Sequence, residues 1–587
     1  MQNKKQFYDW KRVLATLLLL FTLPLFSRCD STKKEDVTLT ILHTTDLHGN
    51  VFPYNFIQDE PMKGSYSRIS TYVDSVRKAD KNMILLDAGD ILQGQPTAYY
   101  YNFMDTVSSH LMADVLNYLK YDAVTVGNHD IETGHPVYDR FEKDLNMPFL
   151  AANVTDTSTG NPYFRPYTTI EKDGKRIVIL GLTTPSVPNF LPESLWKGMR
   201  FEDVVTTAQT YIREIKEKES PDMIVALLHA GRGKKSNLEE PLLEDAGYAL
   251  ATLVPEIDLV CCGHDHASYI DSVAHPQHQK HTYVINPAAG GSFISQTKVT
   301  FTPNGIRIAL SLVPLDNTKP SEEFIEKFKS EYDAVKKFIS SPVGFTTEPI
   351  SSRPAFFGPS AFVDLIHRVQ LSQFEDADIS FSSPLTMNTE VRQGEILMRD
   401  LFKLYKYENT TYLLSLSGEE VRSALEYSYA SWIRTAKPGE ESFLLFKQKE
   451  TGHKMTKLQE PYYNFDSAHG IRYTVDITKP VGERVTILSL EDGTPFKMDN
   501  QYKVVVNSYR GSGGGGMLTK GISLSKEQLN GRILRTSEKD LRYLLMQYLQ
   551  THNPLTPRPS STWKFVPENM ARTAAAKDSL LLFTPES

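Results

Sequence analysis

The sequence predicts an α/β protein, in which buried strands alternate with helices along the chain. Short apolar runs such as Met83 to Leu86 have the length and composition of buried strands, and segments between them, such as Ser67 to Ala79, have helical spacing. Polar residues directly follow several of these runs. The order strand, helix, strand is typical of a parallel or mixed sheet, and 587 residues are too many for one hydrophobic core. We therefore expect two or three domains.

The composition is that of an acidic, otherwise ordinary globular protein. Hydrophobic residues make up 40% and charged residues 23% of the chain, and the formal net charge is -7. Binding to a nucleic-acid polymer requires clustered Lys and Arg, so this balance argues against DNA or RNA as the main partner. Small phosphates remain candidate ligands, because bound metal ions can supply local positive charge.

The N-terminal segment has the features of an export signal. Basic residues precede an apolar run from Val13 to Phe26, which is too short to span a membrane comfortably, and Cys29 follows it. We expect residues 1–29 to be a signal peptide whose end resembles a bacterial lipoprotein processing site, with an acylated Cys29 as the membrane anchor. Arg28 departs from the small residue preferred there, so plain secretion or an uncleaved anchor is the alternative. The expected location is the cell envelope, as an exported periplasmic or outer-surface lipoprotein.

The first predicted domain covers residues 37–316. It begins with a strand at Val37 to Thr45, and an alternating pattern from Val299 to Leu315 predicts antiparallel strands that close it. A helix is expected at Phe201 to Glu217. Further strands are predicted at Ile177 to Leu182, Met223 to Leu228, Ile257 to Val260 and Tyr283 to Ile285.

An amphipathic linker helix is predicted between this domain and a second one. Ser321 to Ser340 places apolar residues at helical spacing and acidic residues in its first turn, within a linker at 317–345. The second domain is expected at 346–566, with strands in ADISFSSP, TYLLSLSG and YKVVVNSY and a helix at Gly418 to Ser428. Residues 567–587 are expected to form a tail whose order the sequence does not define.

Five polar motifs each follow an apolar strand in the first domain. They are HTTDLHGN, LLDAGDILQG, TVGNHDIE, VALLHAG and VCCGHDHA. In an open sheet wound from strand and helix units, ligands gather at the carboxyl ends of the strands. We therefore expect the five loops to converge on one site.

The residue types in these loops predict two divalent metal ions that share a carboxylate. Asp90 ends a buried strand and is the expected bridge. Asp46 and His48 are two residues apart on a segment expected to be extended, so both side chains would face one side. Carboxylate, imidazole and amide ligands without thiolate suit Zn, Mn or Fe. We assign to the first ion Asp46, His48 and His266, and to the second Asn128, His229 and His264.

The ordered set DLHG, GDILQG, GNHD, LLHAG and GHDH resembles the calcineurin-like metallophosphoesterases, in particular the 5′-nucleotidases and 2′,3′-cyclic-nucleotide 2′-phosphodiesterases. The resemblance covers nearly the whole mature chain, since the second domain looks like their C-terminal nucleotide-binding domain. It implies a four-layer α/β/β/α catalytic domain, the dinuclear site described above and His129 as the catalytic histidine. It also implies a small-molecule nucleotide as substrate.

His129 follows the predicted ligand Asn128 and can reach the leaving oxygen of a substrate. We expect it to stabilise the developing charge or to protonate the leaving alkoxide. A carboxylate often orients this histidine in the family. Glu132 and Asp130 are the two candidates here, with a slight preference for Glu132.

The resemblance also indicates where the second domain would hold the nucleoside. MNTEVRQGEI stands where the family has an arginine in a glycine-rich loop, which makes Arg392 a candidate phosphate or ribose contact. Tyr407, with Asn409 beside it, and Tyr509 match two aromatic residues that stack on the base. Gly515 replaces an aspartate that binds ribose in the 5′-nucleotidases, which speaks against that substrate.

These observations favour an enzyme that hydrolyses 2′,3′-cyclic nucleotides and 3′-nucleotides. A 5′-nucleotidase or UDP-sugar hydrolase on the same scaffold is the first alternative, and a non-catalytic envelope binding protein is the second. The binding protein would be expected to lack some site residue, yet all proposed ligands and His129 are present.

Overall fold

The structure is a computed structural model that describes residues 36–584, except 237, 438, 440–441 and 449–453. The predicted signal peptide and Cys29 lie outside the described residues. No helix in the described part of the chain is both long enough and apolar enough to cross a membrane.

Two six-stranded mixed sheets form the N-terminal region, which confirms the predicted α/β class. The first sheet contains, in spatial order, Gly305–Pro314, Phe293–Thr302, Val37–Thr44, Ile84–Asp87, Ala123–Thr125 and Phe149–Leu150. The second contains Ser268–His275, Lys280–Pro287, Leu259–Cys262, Met223–His229, Lys175–Thr183 and Tyr167–Lys172. The central strands of both sheets are parallel, and the first sheet is closed by the antiparallel hairpin expected near residue 300.

The two sheets pack face to face and helices cover their outer faces, which produces the four layers. Successive side chains of a strand point to opposite faces, so Ile41 packs between the sheets against residues such as Ile179, whereas Leu42 packs outward. The helices outside the first sheet are Tyr66–Ala79, Leu111–Leu119 and His135–Asp144. Those outside the second are Val204–Lys218 and Gly247–Leu253.

The connector contains two helices, Glu322–Lys327 and Lys329–Ile339, where the sequence predicted one. The backbone leaves the helical region at Phe328, whose φ is -108° and ψ 25°. Ser321 caps the first helix as its side chain accepts a hydrogen bond from the Phe324 N–H at 3.2 Å. The apolar face, which includes Phe324 and Val335, packs into the core of the first sheet's outer layer. The connector is therefore anchored to the N-terminal region.

A five-stranded sheet is the centre of the C-terminal region. Its strands are, in spatial order, Ser467–His469, Ile379–Ser382, Gln501–Asn507, Thr411–Ser417 and Ile533–Thr536. The three strands predicted from the sequence are its central members. Helices of seven residues or more in this region are Ala361–Leu371, Met398–Leu404, Gly418–Trp432, Lys526–Arg532, Leu541–Thr551 and Glu568–Phe583.

The last of these helices corrects the expected tail. Glu568–Phe583 follows the strand Trp563–Val566, which pairs in parallel with Ile471–Asp476. Ala571, Ala574 and Leu582 of the helix are buried in the core of the C-terminal region. Its alanine-rich sequence carries a weak amphipathic pattern, so the packing of this helix could be seen only in the tertiary structure.

Contacts between the two regions lie beside the predicted site. Tyr99 packs in the same apolar cluster as Leu541 and donates a hydrogen bond to Asp540 Oδ2 at 3.3 Å. The Arg542 guanidinium lies 4.7 Å from the centre of the Tyr99 ring. Arg399 also forms an ion pair with Asp59.

Candidate metal centre and substrate cavity

The loops that carry the five sequence motifs meet at the carboxyl ends of the parallel strands. Two groups of possible metal ligands form there, and ligand atoms within each group lie within 4.8 Å of one another. Asp90 belongs to both groups. The first group contains Asp46, His48, Asp90 and His266, and the second contains Asp90, His229 and His264. Asn128 joins the second group through Oδ1, which is 3.1 Å from His229 Nε2.

Most of these residues have a strained backbone, which corrects one step of the sequence argument. Five positions have left-handed φ values between 48° and 74°, namely Asp46, His48, Asp90, His264 and His266. The segment from Asp46 to His48 is therefore not extended, and its two side chains reach one group through tight turning of the loop. Left-handed non-glycine residues cost on the order of 1 kcal/mol or more each and concentrate at functional sites.

The imidazoles of the first group approach each other through their Nε2 atoms. His48 Nδ1 lies 3.0 Å from the Gln93 carbonyl oxygen, to which it donates, so His48 Nε2 carries the lone pair. That nitrogen is 3.1 Å from His266 Nε2. His266 Nε2 is also 3.3 Å from Asp46 Oδ1. Burial lowers the pKa of His48 to about 4, which favours the neutral form that binds metal.

The second group also turns ring nitrogens toward oxygen atoms. His229 Nδ1 lies 2.6 Å from the Ala88 carbonyl oxygen and donates to it, so Nε2 is the nitrogen that faces the site. Burial alone would lower the pKa of His229, but the Asp90 carboxylate outweighs it and raises the pKa to about 9, so this place favours a positive charge. His229 Nε2 then faces two oxygens, Asn128 Oδ1 at 3.1 Å and Asp90 Oδ1 at 3.2 Å. His264 Nδ1 is 2.8 Å from the same Asn128 oxygen.

These distances fit a cation in each group. Acceptor atoms that crowd together in a buried place repel one another unless a positive ion lies between them. Asp90 is 1% exposed and its Oδ2 has no hydrogen-bond partner among the described residues. The donor set of carboxylates, imidazoles and one amide oxygen suits divalent ions of the Zn, Mn and Fe kind.

His129 is oriented by Glu132. His129 Nδ1 lies 2.5 Å from Glu132 Oε2, and the Glu132 side chain is 7% exposed. Burial alone would lower the pKa of His129, but the carboxylates of Asp90 and Glu132 outweigh it and raise the pKa to about 10. These carboxylates favour the imidazolium form of the ring, and Nε2 is the nitrogen left to offer a proton to a ligand.

Asp130, the other candidate, has a different role from the one considered for it. Its Oδ1 accepts hydrogen bonds from the Ile91 and Leu92 N–H groups, and its Oδ2 from those of Asp90 and Gly127. All four distances are between 2.8 and 3.0 Å. The carboxylate thus ties the loop of Asp90 to the loop of Asn128 and does not contact the His129 ring.

The close approach of these two loops requires Gly127. A Cβ atom at this position would lie 2.2 Å from Asp90 Oδ1 and 2.4 Å from the Asp90 nitrogen. Neither atom can move without displacing the carboxylate shared by the two groups. The glycine in the GNHD motif is therefore needed for the geometry of the site.

A cavity of about 310 Å³ opens from the second group toward the C-terminal region. Its metal-side lining includes Asn128, His129 and His264. Tyr407, Asn409 and Tyr509, the residues expected to bind the nucleoside, lie on its other side. Tyr405 donates a hydrogen bond to Asn409 Oδ1 at 3.2 Å, which fixes that side chain. A more open depression of about 520 Å³ near Asp222 contains no residue of either ligand group.

Arg392 is not part of this cavity. The residue follows the short strand Glu390–Val391 and is exposed, and the cavity lining does not include it. The expectation that Arg392 contacts phosphate or ribose therefore stays a prediction, and in this arrangement of the chain the residue lies outside the cavity lining. The family loop has glycines where this sequence has Asn388, Thr389 and Glu390, so the backbone conformation need not match.

Several lining residues carried no signal in the sequence. They are Phe190, Leu191, Glu244, Leu385, Tyr463 and Asn507, whereas Glu132, which also lines the cavity, was predicted for the site. Glu244 Oε1 lies 3.3 Å from His264 Nε2, so this carboxylate can fix the tautomer of a metal ligand. Glu244 stands in a polar loop with no recognisable motif, and only its distance to His264 reveals the contact.

Gly515 cannot hold the aspartate that its position has in 5′-nucleotidases. Its φ is 68°, and a Cβ atom there would lie 2.1 Å from Arg510 Nη1 and 2.4 Å from Asn464 Oδ1. Arg510 is buried and pairs with Asp466, so it cannot move aside freely. The packing of this loop therefore requires a glycine at position 515.

Comparisons with known proteins agree with this geometry. A calcineurin-like phosphoesterase family model matches residues 39–268, and a 5′-nucleotidase C-terminal domain model matches residues 342–520. The chain is 26% identical, over 98% of its length, to the trifunctional nucleotide phosphoesterase YfkN of Bacillus subtilis, of which it spans 42%. It is also 26% identical to a 2′,3′-cyclic-nucleotide 2′-phosphodiesterase/3′-nucleotidase of Haemophilus influenzae, over 97% of this chain and 92% of that protein. A 5′-nucleotidase of Vibrio cholerae is 24% identical over 65% of this chain and 74% of its own.

Solved structures share the overall arrangement. A proposed 5′-nucleotidase of Staphylococcus aureus superposes with a TM-score of 0.74 at 21% identity, covering 90% of this chain and 100% of that one. A 5′-nucleotidase precursor of Thermus thermophilus gives a TM-score of 0.60 at 22% identity, covering 91% and 100%. At these identities the likeness shows the fold.

Proposed function

Because the chain belongs to the calcineurin-like phosphoesterases that carry a 5′-nucleotidase C-terminal domain, we propose that it hydrolyses nucleotide phosphoesters with the help of divalent metal ions. The leading substrates in this proposal are 2′,3′-cyclic nucleotides and 3′-nucleotides. Two of the relatives described above carry names with nucleotide phosphoesterase or 3′-nucleotidase activity.

One observation carries the proposal. The cavity that begins at Asn128, His129 and His264 ends at Tyr407 and Tyr509, so a single small molecule can reach both ends. A phosphate at the first end would face the ligand groups and the imidazolium. A base at the second end would face aromatic rings, which stack on any nucleobase. A nucleotide is the common metabolite that carries both chemical groups.

The chain's own residues have separable tasks in the proposed reaction. One cation would be held by Asp46, His48 and His266, and the other would be held by Asn128, His229 and His264. Asp90 would bind both cations. When bound, two divalent cations would stabilise charge on the phosphoryl oxygens and activate a water molecule as the nucleophile.

His129 acts on the leaving group in this proposal. Glu132 holds the ring through Nδ1, so Nε2 can donate its proton to the departing ribose oxygen or stabilise the charge on it. Asp130 keeps the loops of Asp90 and Asn128 in register and takes no part in proton transfer. The apolar lining residues Phe190, Leu191 and Leu385 would exclude water from the ribose side of the cavity.

A substrate panel tests the proposal. Purified protein is incubated with 2′,3′-cyclic AMP, 3′-AMP, 5′-AMP and UDP-glucose in the presence of Mn²⁺ or Zn²⁺, and phosphate and nucleoside products are measured. We expect the highest kcat/KM for the first two compounds. Absence of turnover on all four, in protein that contains metal, would refute the function.

A 5′-nucleotidase or UDP-sugar hydrolase is the second candidate. The match to the 5′-nucleotidase C-terminal domain favours it, and the packing of Gly515 against Arg510 speaks against the ribose contact expected there. Preference for 5′-AMP over 3′-AMP in the same panel would decide for this candidate.

We also propose that the protein is exported and anchored by lipid at Cys29, from the signal-like composition of residues 1–29. The domains are proposed at 37–316 and 346–566, joined by the linker at 317–345. Mass spectrometry of the mature N-terminus would test the anchor. Acylation at Cys29 is expected, and an unmodified N-terminus beyond this residue would contradict it.

A further inference from the structure

A third tyrosine packs beside the two that were predicted to bind the base. Tyr463 lines the same cavity as Tyr407 and Tyr509. Its ring centre lies 6.4 Å from that of Tyr407 at an angle of 78°, and 6.4 Å from that of Tyr509 at 85°. The plane of the Tyr463 ring is therefore nearly perpendicular to the planes of both other rings.

We propose that Tyr463 closes the base slot formed with Tyr407 and Tyr509 and contacts the edge of the nucleobase. This inference rests on the proposed hydrolysis of nucleotides and adds a substrate-binding residue to it. A base between Tyr407 and Tyr509 presents its faces to those rings and its edge to Tyr463. The Tyr463 hydroxyl makes no hydrogen bond to a described residue, so it can donate to or accept from ring nitrogens and exocyclic groups.

The loop that carries Tyr463 is held rigidly in place. Arg510 donates from Nη2 to the Tyr463 carbonyl oxygen at 2.6 Å and from Nη1 to Asn464 Oδ1 at 3.0 Å. The Ser383 hydroxyl donates to the same carbonyl at 2.9 Å. Arg510 is itself fixed, because Nε and Nη2 both donate to Asp466 Oδ2, at 3.0 and 2.6 Å.

Arg510 also positions Tyr509. The Arg510 guanidinium lies 5.2 Å from the centre of the Tyr509 ring, and its Nη1 donates to the Gly514 carbonyl oxygen at 2.9 Å. Arg510 and Asp466 are each 2% exposed, so water competes little for these bonds. One buried ion pair thus sets the spacing of Tyr463 and Tyr509 before a ligand arrives, which reduces the entropy lost on binding.

The geometry predicts tolerance among bases. A hydroxyl can be donor or acceptor, and the amides of Asn409 and Asn507, which also line the cavity, have both functions. Purine and pyrimidine edges can therefore both be satisfied. The contact distinguishes substrates with a base from phosphoesters without one.

The test compares 3′-AMP with glycerol 2-phosphate, a phosphoester without a base, on the metal-loaded full-length protein. For Tyr463→Ala we expect the ratio of kcat/KM for 3′-AMP over glycerol 2-phosphate to fall about tenfold, mainly through a higher KM for 3′-AMP. For Tyr463→Phe, which keeps the ring and loses the hydroxyl, we expect a fall of about threefold. Tyr462→Phe is the matched control, since its neighbouring ring does not line the cavity, and its ratio should stay within about twofold of the wild type.

Binding of adenosine measured by calorimetry is the second readout, because it does not depend on turnover. Its Kd should rise about tenfold in Tyr463→Ala. Nucleotide hydrolysis with an unchanged ratio and an unchanged adenosine Kd in Tyr463→Ala would overturn this inference alone. Wild-type protein that cleaves glycerol 2-phosphate but none of the nucleotides would overturn the proposed function and this inference with it.

Discussion

The contact between His129 and Glu132 can be tested by replacing the glutamate with an uncharged side chain of the same size. Glu132→Gln keeps an oxygen that can accept from His129 Nδ1 but removes the negative charge at 2.5 Å. Glu132 lines the cavity without belonging to either group of metal ligands, so the metal content should not change.

The expected loss follows from the hydrogen bond that holds the ring. A hydrogen bond to a charged group is worth about 1.5–3 kcal/mol, which corresponds to roughly 10- to 100-fold in kcat if it maintains the working orientation. His129→Asn removes the acid itself and should cost about 10²–10⁴-fold. Glu132→Gln should therefore lie between the wild type and His129→Asn.

The pH profile separates an effect on the acid from a general disturbance. The charge of Glu132 helps to hold the pKa of His129 at about 10, above its ordinary value of 6.5, so the imidazolium persists into alkaline solution. Without that charge the pKa falls, and the alkaline limb of the kcat profile should move to lower pH. Steady-state kinetics on 2′,3′-cyclic AMP between pH 6 and 10 would measure the shift, with metal content determined on the same samples.

Asp130→Asn is the matched control for this experiment. In this variant the side-chain NH2 group would face two of the four backbone N–H groups whose hydrogen bonds the carboxylate accepts. Each N–H group left without an acceptor would cost about 1–3 kcal/mol of stability. We expect a lower Tm and weaker metal retention, with the alkaline limb moved less than in Glu132→Gln, because Asp130 contributes less than Glu132 to the raised pKa of His129. An alkaline limb that moves in Asp130→Asn and stays in Glu132→Gln would refute the assignment of Glu132 as the orienting residue.

Three further predictions follow from the structure. Because Asp90 belongs to both ligand groups and His266 to one, Asp90→Asn should lose most of both ions, whereas His266→Ala should retain about one ion per chain. Elemental analysis of the purified variants measures the metal content, and equal losses in the two variants would contradict a shared carboxylate. Burial lowers the pKa of His367 to about 3, so the folded protein binds this proton less readily than the unfolded chain does, and the free energy of unfolding falls as the pH drops below 6.5, by about 2 kcal/mol at pH 5 from this group. Urea midpoints measured against pH should decline less steeply on the acid side in His367→Gln than in the wild type. An identical decline would contradict the lowered pKa of His367. Gly515→Asp should lower the Tm and should not raise activity on 5′-AMP, because its Cβ would collide with Arg510; a stable variant with gained 5′-nucleotidase activity would show that the loop can rearrange.

The ligand set could be read from the chain because it depends on local patterns. Each residue of the set ends a short apolar strand or lies within four residues after its end, and the carboxyl ends of parallel strands lie on one edge of a sheet. His229 is the last residue of Met223–His229, so its position follows from the strand alone. The same reasoning gave the wrong cause for Asp46 and His48, whose left-handed backbone depends on contacts with neighbouring loops.

The cavity shows why the remaining residues escaped sequence reasoning. Arg392 matched a family position in sequence, but it is not among the residues that line the cavity. Tyr463 had no motif around it, and it reaches the cavity because Arg510 binds its carbonyl oxygen from 47 residues away. The contact of Glu244 with the site is likewise visible only from the distance between its carboxylate and His264.

The sequence by itself determined the α/β class, the order of the strands that carry polar ends, and the chemical types of the residues that would surround two cations. These features depend on hydrophobic periodicity and on residue identity, which are properties of short segments. The tertiary structure alone decided which carboxylate orients His129, which side chains line the cavity and where the final helix packs. Those outcomes depend on contacts between distant segments, whose free energies are set by burial and by the satisfaction of polar groups in the folded chain.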